Sequence, residues 1–245
     1  MHQEKSQKTF SKEFNKLRDK IAAKENFAFS RFSDGELHML QNMYFKITDD
    51  HFVEGTKVGY CKYTEEEHKE FDPKKHKFYR DKLEEAFKFK KYNYFKGICA
   101  KADVGEQDFR WQLELNSHDT EDLTFSNVFI NANYPRFIQE VIPLLKDRDI
   151  IFVVNEKADV SKLNLEIIKT FRVGSNCIVN NYNLATEIPE FIKDKNIEDA
   201  VILCSCASLS NFIIYEGFKS SEKNTFIDIG SALNPFVGLE GWQYS

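Results

Sequence analysis

The pattern of hydrophobic and polar positions begins with a helical period. Four apolar residues recur at spacings of three and four: Phe10, Phe14, Leu17 and Ile21. They predict a first amphipathic helix that ends near Ala23. The aromatic-rich run NFAFSRF, residues 26–32, then predicts a first strand, and the following SDGELHMLQNM has the pattern of a helix start.

Downstream, continuous apolar runs alternate with helical patterns. The predicted strands are 96–100, 127–131, 149–155, 177–181, 200–205 and 225–230, and the predicted helices between the later strands are 135–146, 161–171 and 208–219. This alternation indicates a mostly parallel sheet covered on both faces, which is a doubly wound, Rossmann-like α/β fold. In such sheets, ligands bind beyond the carboxyl ends of the strands.

The chain is predicted to form a single domain over residues 1–245. Its length suits one large α/β unit, and it contains no internal repeat and no linker rich in Gly, Ser or Pro. The polar region 101–126 interrupts the strand pattern, and we expect it to be an insertion or an active-site flap.

Charge, apolar runs and cysteine usage exclude several classes of protein. The net charge of −5 argues against general nucleic-acid binding. The basic segment 74–96 carries apolar residues at helical spacing, so it favours an amphipathic helix with a solvated lysine face. The longest apolar runs are too short for a transmembrane segment, and the N-terminus has no signal-peptide pattern. Five cysteines without a C-x-x-C spacing predict reduced thiols and a cytoplasmic location, and the composition indicates no particular oligomeric state.

The segment FSRFSDGEL, residues 29–37, concentrates polar side chains at the predicted junction of strand and helix. If the strand ends near Phe32, Ser33 is the N-cap and Glu36 completes a capping box. That structural interpretation leaves Arg31, Asp34 and Gly35 unexplained.

A functional interpretation starts from the same junction. A helix start at the carboxyl end of a parallel strand attracts anions. Asp34 and Glu36 would tolerate a phosphate there if they held Mg²⁺ or Mn²⁺, and Arg31 could pair with a phosphate oxygen. Gly35 would allow close approach of the backbone. From spacing alone, the capping interpretation is the stronger of the two.

The local sequence adds a family resemblance. SRFSDGEL after a first strand resembles the SRFGDGE signature of GT-D-type glycosyltransferases, whose D-x-E motif falls on Asp34 and Glu36. The segments SNVFINANYPRFIQEVIPLLKDRDIIFVVNE and AVILCSCASLSNFIIYEGFKSSEKNTFIDIGSALN are similar to the central and closing parts of that family. The resemblance therefore spans most of the chain.

The resemblance implies a metal-dependent transferase that moves a sugar from a nucleoside diphosphate donor, with UDP as the first expectation, to a hydroxyl of a glycan acceptor. It implies Mn²⁺ or Mg²⁺ at Asp34 and Glu36. The implied nucleotide-sugar site comprises Arg31, Ser33, Gly35, Ser205 and Ser208, and the candidate catalytic residues are Asp228 and Glu240.

Three positions depart from the family pattern. Ser33 replaces a usual glycine, and the loop CSCASLS, residues 204–210, lacks an expected glycine. After DIG, the family continues with a histidine and an acidic pair, whereas this chain offers only Asn234 and Glu240. Asp228 itself could orient a sugar hydroxyl or cap the next turn.

Two other functions stay open at this point. A non-catalytic protein could retain the fold and bind a partner through residues 74–126. Another metal-dependent phosphate-handling enzyme would usually need carboxylates or histidines for a second metal, and the sequence supports only one acidic pair at the level of a motif.

Overall fold

A parallel sheet forms the centre of the fold. The computed structural model describes residues 7–58, 65 and 68–239. Within these ranges the strands are β1 (Ala28–Phe32), β2 (Phe45–Ile47), β3 (His51–Val53), β4 (Thr56–Lys57), β5 (Lys69–Phe71), β6 (Tyr94–Ile98), β7 (Leu123–Phe125), β8 (Ile150–Asn155), β9 (Ile167–Val173), β10 (Val201–Cys204) and β11 (Thr225–Asp228). Seven strands form one sheet in the order β7-β6-β1-β11-β10-β8-β9, and all its neighbouring pairs are parallel.

Helices cover both faces of this sheet, which confirms the predicted doubly wound α/β class. The helices of the described ranges are α1 (Gln7–Ala22), α2 (Asp34–Leu40), α3 (Lys77–Lys88), α4 (Lys101–Leu115), α5 (Tyr134–Arg136), α6 (Cys177–Asn180), α7 (Leu184–Asp194) and α8 (Leu209–Ser220). The π-helical turn Phe137–Val141 and the 3₁₀ turn Ile142–Leu145 continue α5. None of the helices in the described part of the chain is long and apolar enough to span a bilayer.

The central strands are apolar throughout because both of their faces are buried. In β8, Phe152 packs in the cluster that contains α1, and Val153 packs on the opposite side with α7 and α8. Close packing extends to α8 and β11, where a Cβ atom added to Gly217 would lie 2.3 Å from the Phe226 ring. The glycine lets the helix lie directly against the strand.

A second, antiparallel sheet lies between α2 and α3 in the chain, and the sequence pattern did not predict it. Its strand order is β4-β3-β2-β5. Its strands are only two or three residues long, too short for a periodic signal. Phe45 and Phe71 stack with ring centroids 5.8 Å apart, and both belong to the cluster that contains Met39 and Leu40 of α2. The small sheet is thus packed against the helix that carries the D-x-E motif.

The predictions for 161–171 and 177–181 were wrong. The first range was expected to be helical, but β9 occupies Ile167–Val173 at the edge of the main sheet. An edge strand exposes polar residues such as Lys169 between its apolar ones, so its pattern is easily mistaken for a helix. The second range was expected to be a strand, but the short helix α6 buries Cys177 and Ile178 there.

Residues 101–131 also differ from expectation. The range 101–126, expected to be an insertion or flap, forms α4 and β7, which is the crossover from β6 to its neighbouring strand. The strand predicted at 127–131 is instead β7, a few residues earlier, because pairing with β6 ends at Phe125. Val128 and Phe129 remain buried, packed in turns rather than in the sheet.

Candidate active site

A cavity of about 330 Å³ opens beyond the carboxyl ends of β1, β10 and β11. This is the edge where a parallel α/β sheet binds ligands. Its lining includes the candidate residues from three segments of the sequence: Arg31, Ser33, Asp34, Gly35, Glu36, Ser205, Ser208 and Asp228. The fold therefore brings together residues that are almost 200 positions apart in the chain.

Arg31 lies near the end of β1 and connects several of these segments. Its Nε donates to the backbone carbonyl of Ser126, and its Nη2 lies 3.4 Å from the Ser33 hydroxyl. Its Nη1 lies 3.8 Å from Oδ1 of Asp228. Gly230, at φ +53°, leaves room for this arrangement, because an added Cβ would lie 1.7 Å from Nη1. The guanidinium is therefore held at the cavity wall.

Glu36 is both a capping residue and a cavity residue. Ser33 and Glu36 form the predicted capping box, in which the Ser33 backbone N–H donates to Oε2 of Glu36 at 3.0 Å. The other carboxylate oxygen, Oε1, accepts a hydrogen bond from the Ser208 hydroxyl, at the N-cap of α8. The buried carboxylate thus joins the starts of two helices.

Asp34 differs from Glu36 in its surroundings. It is the first residue of α2, it is exposed, and it lines the cavity. Within the described ranges it makes no hydrogen bond and no ion pair. No hydrogen-bond or ion-pair partner in the described part of the chain explains the position of this carboxylate.

Asp34 and Glu36 are the carboxylates of the D-x-E segment that line the cavity and could hold a metal ion. No group of three or more His, Cys, Asp and Glu side chains converges on a metal position among the described residues. An enclosed protein cage is therefore not formed there. Mg²⁺ binds through one or two carboxylates together with substrate phosphates and water, and the hard oxygens of Asp34 and Glu36 suit that arrangement.

Asp228 ends β11 with its carboxyl group buried at the cavity. Burial raises the pKa of Asp228 to about 7, and the negative charge of Glu36 acts in the same direction. Arg31 and the Gly230 backbone N–H, which donates to Oδ1 at 2.9 Å, oppose that rise. Asp228 therefore caps the turn after β11 and also titrates near neutral pH.

The loop between β10 and α8 brings Ser205 and Ser208 to the cavity. Ala207 lies between them with φ +47°, a left-handed conformation that glycine adopts more readily. The loop lacks the glycine that the family resemblance leads one to expect, and Ala207 adopts a backbone conformation typical of glycine. The neighbouring Cys206 is buried, and burial raises the pKa of its thiol well above the usual value.

Ala207→Gly is expected to raise the free energy of unfolding by about 0.5–1 kcal/mol, because it relieves the left-handed strain and only part of that gain is offset by chain entropy. A urea titration measures the change. Ala185→Gly, inside α7, provides the control and is expected to lower stability, since glycine is unfavourable in a helix. A destabilised Ala207→Gly variant would contradict the strain at this loop.

Two candidates, Asn234 and Glu240, come from the C-terminal part of the sequence. Asn234 lines the cavity from the turn after β11. Glu240, the second candidate catalytic residue, lies outside the described residues.

Several residues that line the cavity were not predicted from the sequence. They come from the end of β8, from the segment that follows β9, and from β5 and the residue before it: Asn155, Gly174, Asn176, Lys69 and His68. Asn155 could have been found because it directly follows the apolar run of β8. The others could not, since β9 had been assigned as a helix and the small sheet was not recognised.

Comparison with known proteins gives a match in structure only. No protein-family model matches the chain, and no curated protein matches it. The structure resembles the solved structure of the highly conserved domain of unknown function 1792, described as having a distinct glycosyltransferase fold, with a TM-score of 0.50 and 14% identity over 91% of this chain and 77% of that chain. A selenomethionine-substituted structure of that domain gives a TM-score of 0.48 and 12% identity, covering 89% of this chain and 82% of that one.

At this level of identity, the similarity concerns the fold. The chain has the α/β architecture of a glycosyltransferase fold, as the resemblance to the GT-D type predicted. The cavity at the carboxyl edge of its sheet is where a fold of this class binds its ligands.

Proposed function

We propose that this protein is a metal-dependent glycosyltransferase that moves a sugar from a nucleoside diphosphate donor, with UDP as the first candidate, to a hydroxyl of a glycan acceptor. The observation that carries the proposal is the convergence of Arg31, Asp34 and Asp228 on one cavity of a glycosyltransferase fold. An unpartnered carboxylate, a fixed guanidinium and a carboxyl group that titrates near neutrality are the groups that this reaction needs.

Asp34 and Glu36 would hold the divalent cation, Mn²⁺ or Mg²⁺. When bound, such a cation neutralises charge on the diphosphate as the bond to the sugar breaks. Arg31 supplies a second positive charge from the protein, and its contacts with Ser126 and Ser33 hold it in place before the donor binds. Because the guanidinium is already in position, it does not have to reorganise during the reaction.

Asp228 is the proposed base of an inverting reaction. The acceptor hydroxyl would transfer its proton to the Asp228 carboxylate while its oxygen forms the new bond to the anomeric carbon. The bond from that carbon to the phosphate oxygen breaks, and its electron pair leaves with the nucleoside diphosphate. A base is most effective when its pKa lies near the working pH, and the pKa of about 7 suits this role.

A cytoplasmic location is part of the proposal. Cys99, Cys177, Cys204 and Cys206 are free and buried. Free thiols suit a reducing compartment.

Calorimetric titration tests the proposal. The purified protein is titrated with UDP, GDP and their common sugar conjugates, first with Mn²⁺ and then with EDTA. We expect one nucleotide to bind only when the metal is present. If the folded protein binds none of them, the transferase function is wrong and a partner-binding role for the fold becomes the better hypothesis.

A further inference from the structure

The small antiparallel sheet directs one lysine toward the cavity. In the pairing of β2 with β5, Phe45 is opposite Phe71 and Ile47 is opposite Lys69. Phe45, Ile47 and Phe71 are all buried, so this face of the sheet is the inner one. Lys69 therefore occupies an inward-facing position among apolar residues. Burying a lysine there costs free energy unless its charge is paired.

The ammonium group of Lys69 lies over the start of α2. A Cβ added to Gly35 would be 3.4 Å from Lys69 Nζ, so the glycine of the D-x-E motif leaves space for this group. Lys69 is half-buried and lines the cavity together with Asp34 and Arg31. It forms a cation–π contact with Phe45 at 5.9 Å. Among the described residues, no carboxylate lies within salt-bridge distance of it.

The charges of the cavity leave a role for this lysine. Arg31 already contacts Asp228, Ser33 and Ser126, so part of its positive charge is used within the protein. The acidic groups Asp34, Glu36 and Asp228 outnumber the two cationic side chains. A diphosphate carries two or more negative charges, and one divalent cation with Arg31 alone would leave it poorly neutralised in a partly buried site.

We propose that Lys69 binds the sugar-linked phosphate of the donor, so that the small sheet makes the site selective for nucleoside diphosphates over monophosphates. This inference rests on the proposed function and extends it to a residue outside the parallel sheet. Arg31 and Lys69 then contact the diphosphate from opposite elements, one from β1 and one from β5. The small sheet thus adds to the donor site a positive charge that does not come from the parallel sheet.

Paired nucleotides test the proposal by calorimetry with Mn²⁺. The wild type, Lys69→Met and Lys69→Arg are each titrated with UDP and UMP, and with GDP and GMP. We expect Lys69→Met to weaken diphosphate binding about 10- to 100-fold, the usual effect of losing a charged hydrogen bond. Monophosphate binding should change much less, and Lys69→Arg should restore most of the diphosphate affinity.

Lys46→Met is the matched control. Lys46 lies on β2 of the same sheet, is exposed, and does not line the cavity. The Lys46→Met variant should bind diphosphates and monophosphates as the wild type does. Thermal unfolding checks that all variants are folded. If the wild type binds a diphosphate and Lys69→Met binds it equally well, or if Lys69→Met loses the monophosphate to the same degree, the role of Lys69 is refuted alone. If the wild type binds no nucleotide, the proposed function fails and the inference fails with it.

Discussion

Asp34→Asn is expected to lower metal-dependent turnover by about 100-fold or more while lowering the free energy of unfolding by less than about 1 kcal/mol, because only its charge in the first turn of α2 is lost. One metal ion contributes several kcal/mol of stabilisation to the charge that develops on a leaving phosphate, and the variant removes one of the two proposed ligands of that metal. Asp34 is exposed and its side chain makes no hydrogen bond or ion pair within the described ranges, so its amide analogue breaks none of the contacts seen there. Turnover with Mn²⁺ and a thermal melt measure the two quantities.

Glu36→Gln separates the observed capping role of the motif from its proposed metal-binding role. Glu36 accepts hydrogen bonds from the Ser33 backbone and from the Ser208 hydroxyl, and a glutamine can accept only one of them through its single oxygen. We therefore expect a loss of turnover together with a loss of about 0.5–2 kcal/mol in the free energy of unfolding. The difference between the variants follows from their surroundings, since both changes remove one carboxylate.

Asp49→Asn is the control for the change of charge. Asp49 is exposed in the turn between β2 and β3 and does not line the cavity. It should affect neither turnover nor stability. If Asp34→Asn keeps full metal-dependent turnover, Asp34 is no metal ligand, and SDGE is a helix cap only.

The sequence predicted the parts of this fold that carry strong local signals. The strand that ends at Phe32, the capping box of Ser33 and Glu36, and the buried strand β8 are each encoded within about ten residues. Continuous apolar runs identify strands buried on both faces, and an N-cap pattern identifies a helix start. These signals locate the junction on which the candidate site is built.

The remaining parts depend on tertiary contacts that a local pattern does not contain. The strands of the small sheet have two or three residues, and Lys69 becomes an inward-facing residue only through its pairing with Ile47. The edge strand β9 lies at the rim of the main sheet, so its pattern of apolar and polar residues did not distinguish it from a helix. The raised pKa of Asp228 likewise depends on burial produced by distant segments.

Asp228→Asn is expected to raise stability at alkaline pH and to lower turnover by about 100- to 10,000-fold if Asp228 is the base. The pKa of Asp228 is raised by burial from 3.8 to about 7 in the folded protein. Between these values the folded state binds more protons than the unfolded state, so the free energy of unfolding of the wild type falls as the pH rises. The loss of stability caused by ionising buried Asp228 is absent below about pH 4 and complete above about pH 7.

The stability difference between Asp228→Asn and the wild type should therefore grow across that window. It reaches on the order of 4 kcal/mol, as an upper value, because one pKa unit corresponds to about 1.4 kcal/mol. Urea titrations at several pH values, with EDTA to remove metal, measure it. Asparagine keeps an oxygen that can accept from the Gly230 backbone, so the turn after β11 should be preserved.

Asp159→Asn is a control of opposite sign. The hydroxyl and backbone N–H of Ser161 donate to Asp159 and lower its pKa. The charged form of Asp159 therefore stabilises the fold at pH values above the ordinary pKa range of a carboxyl group. The variant should be slightly less stable than the wild type at neutral pH, and this difference should disappear on acidification, because the wild type then loses the stabilising charge. If Asp228→Asn instead follows the pH dependence of Asp159→Asn, its carboxyl group is not held in a destabilised charged form. Gain of stability with loss of turnover is the combination expected where a buried acid is kept for function at the expense of stability.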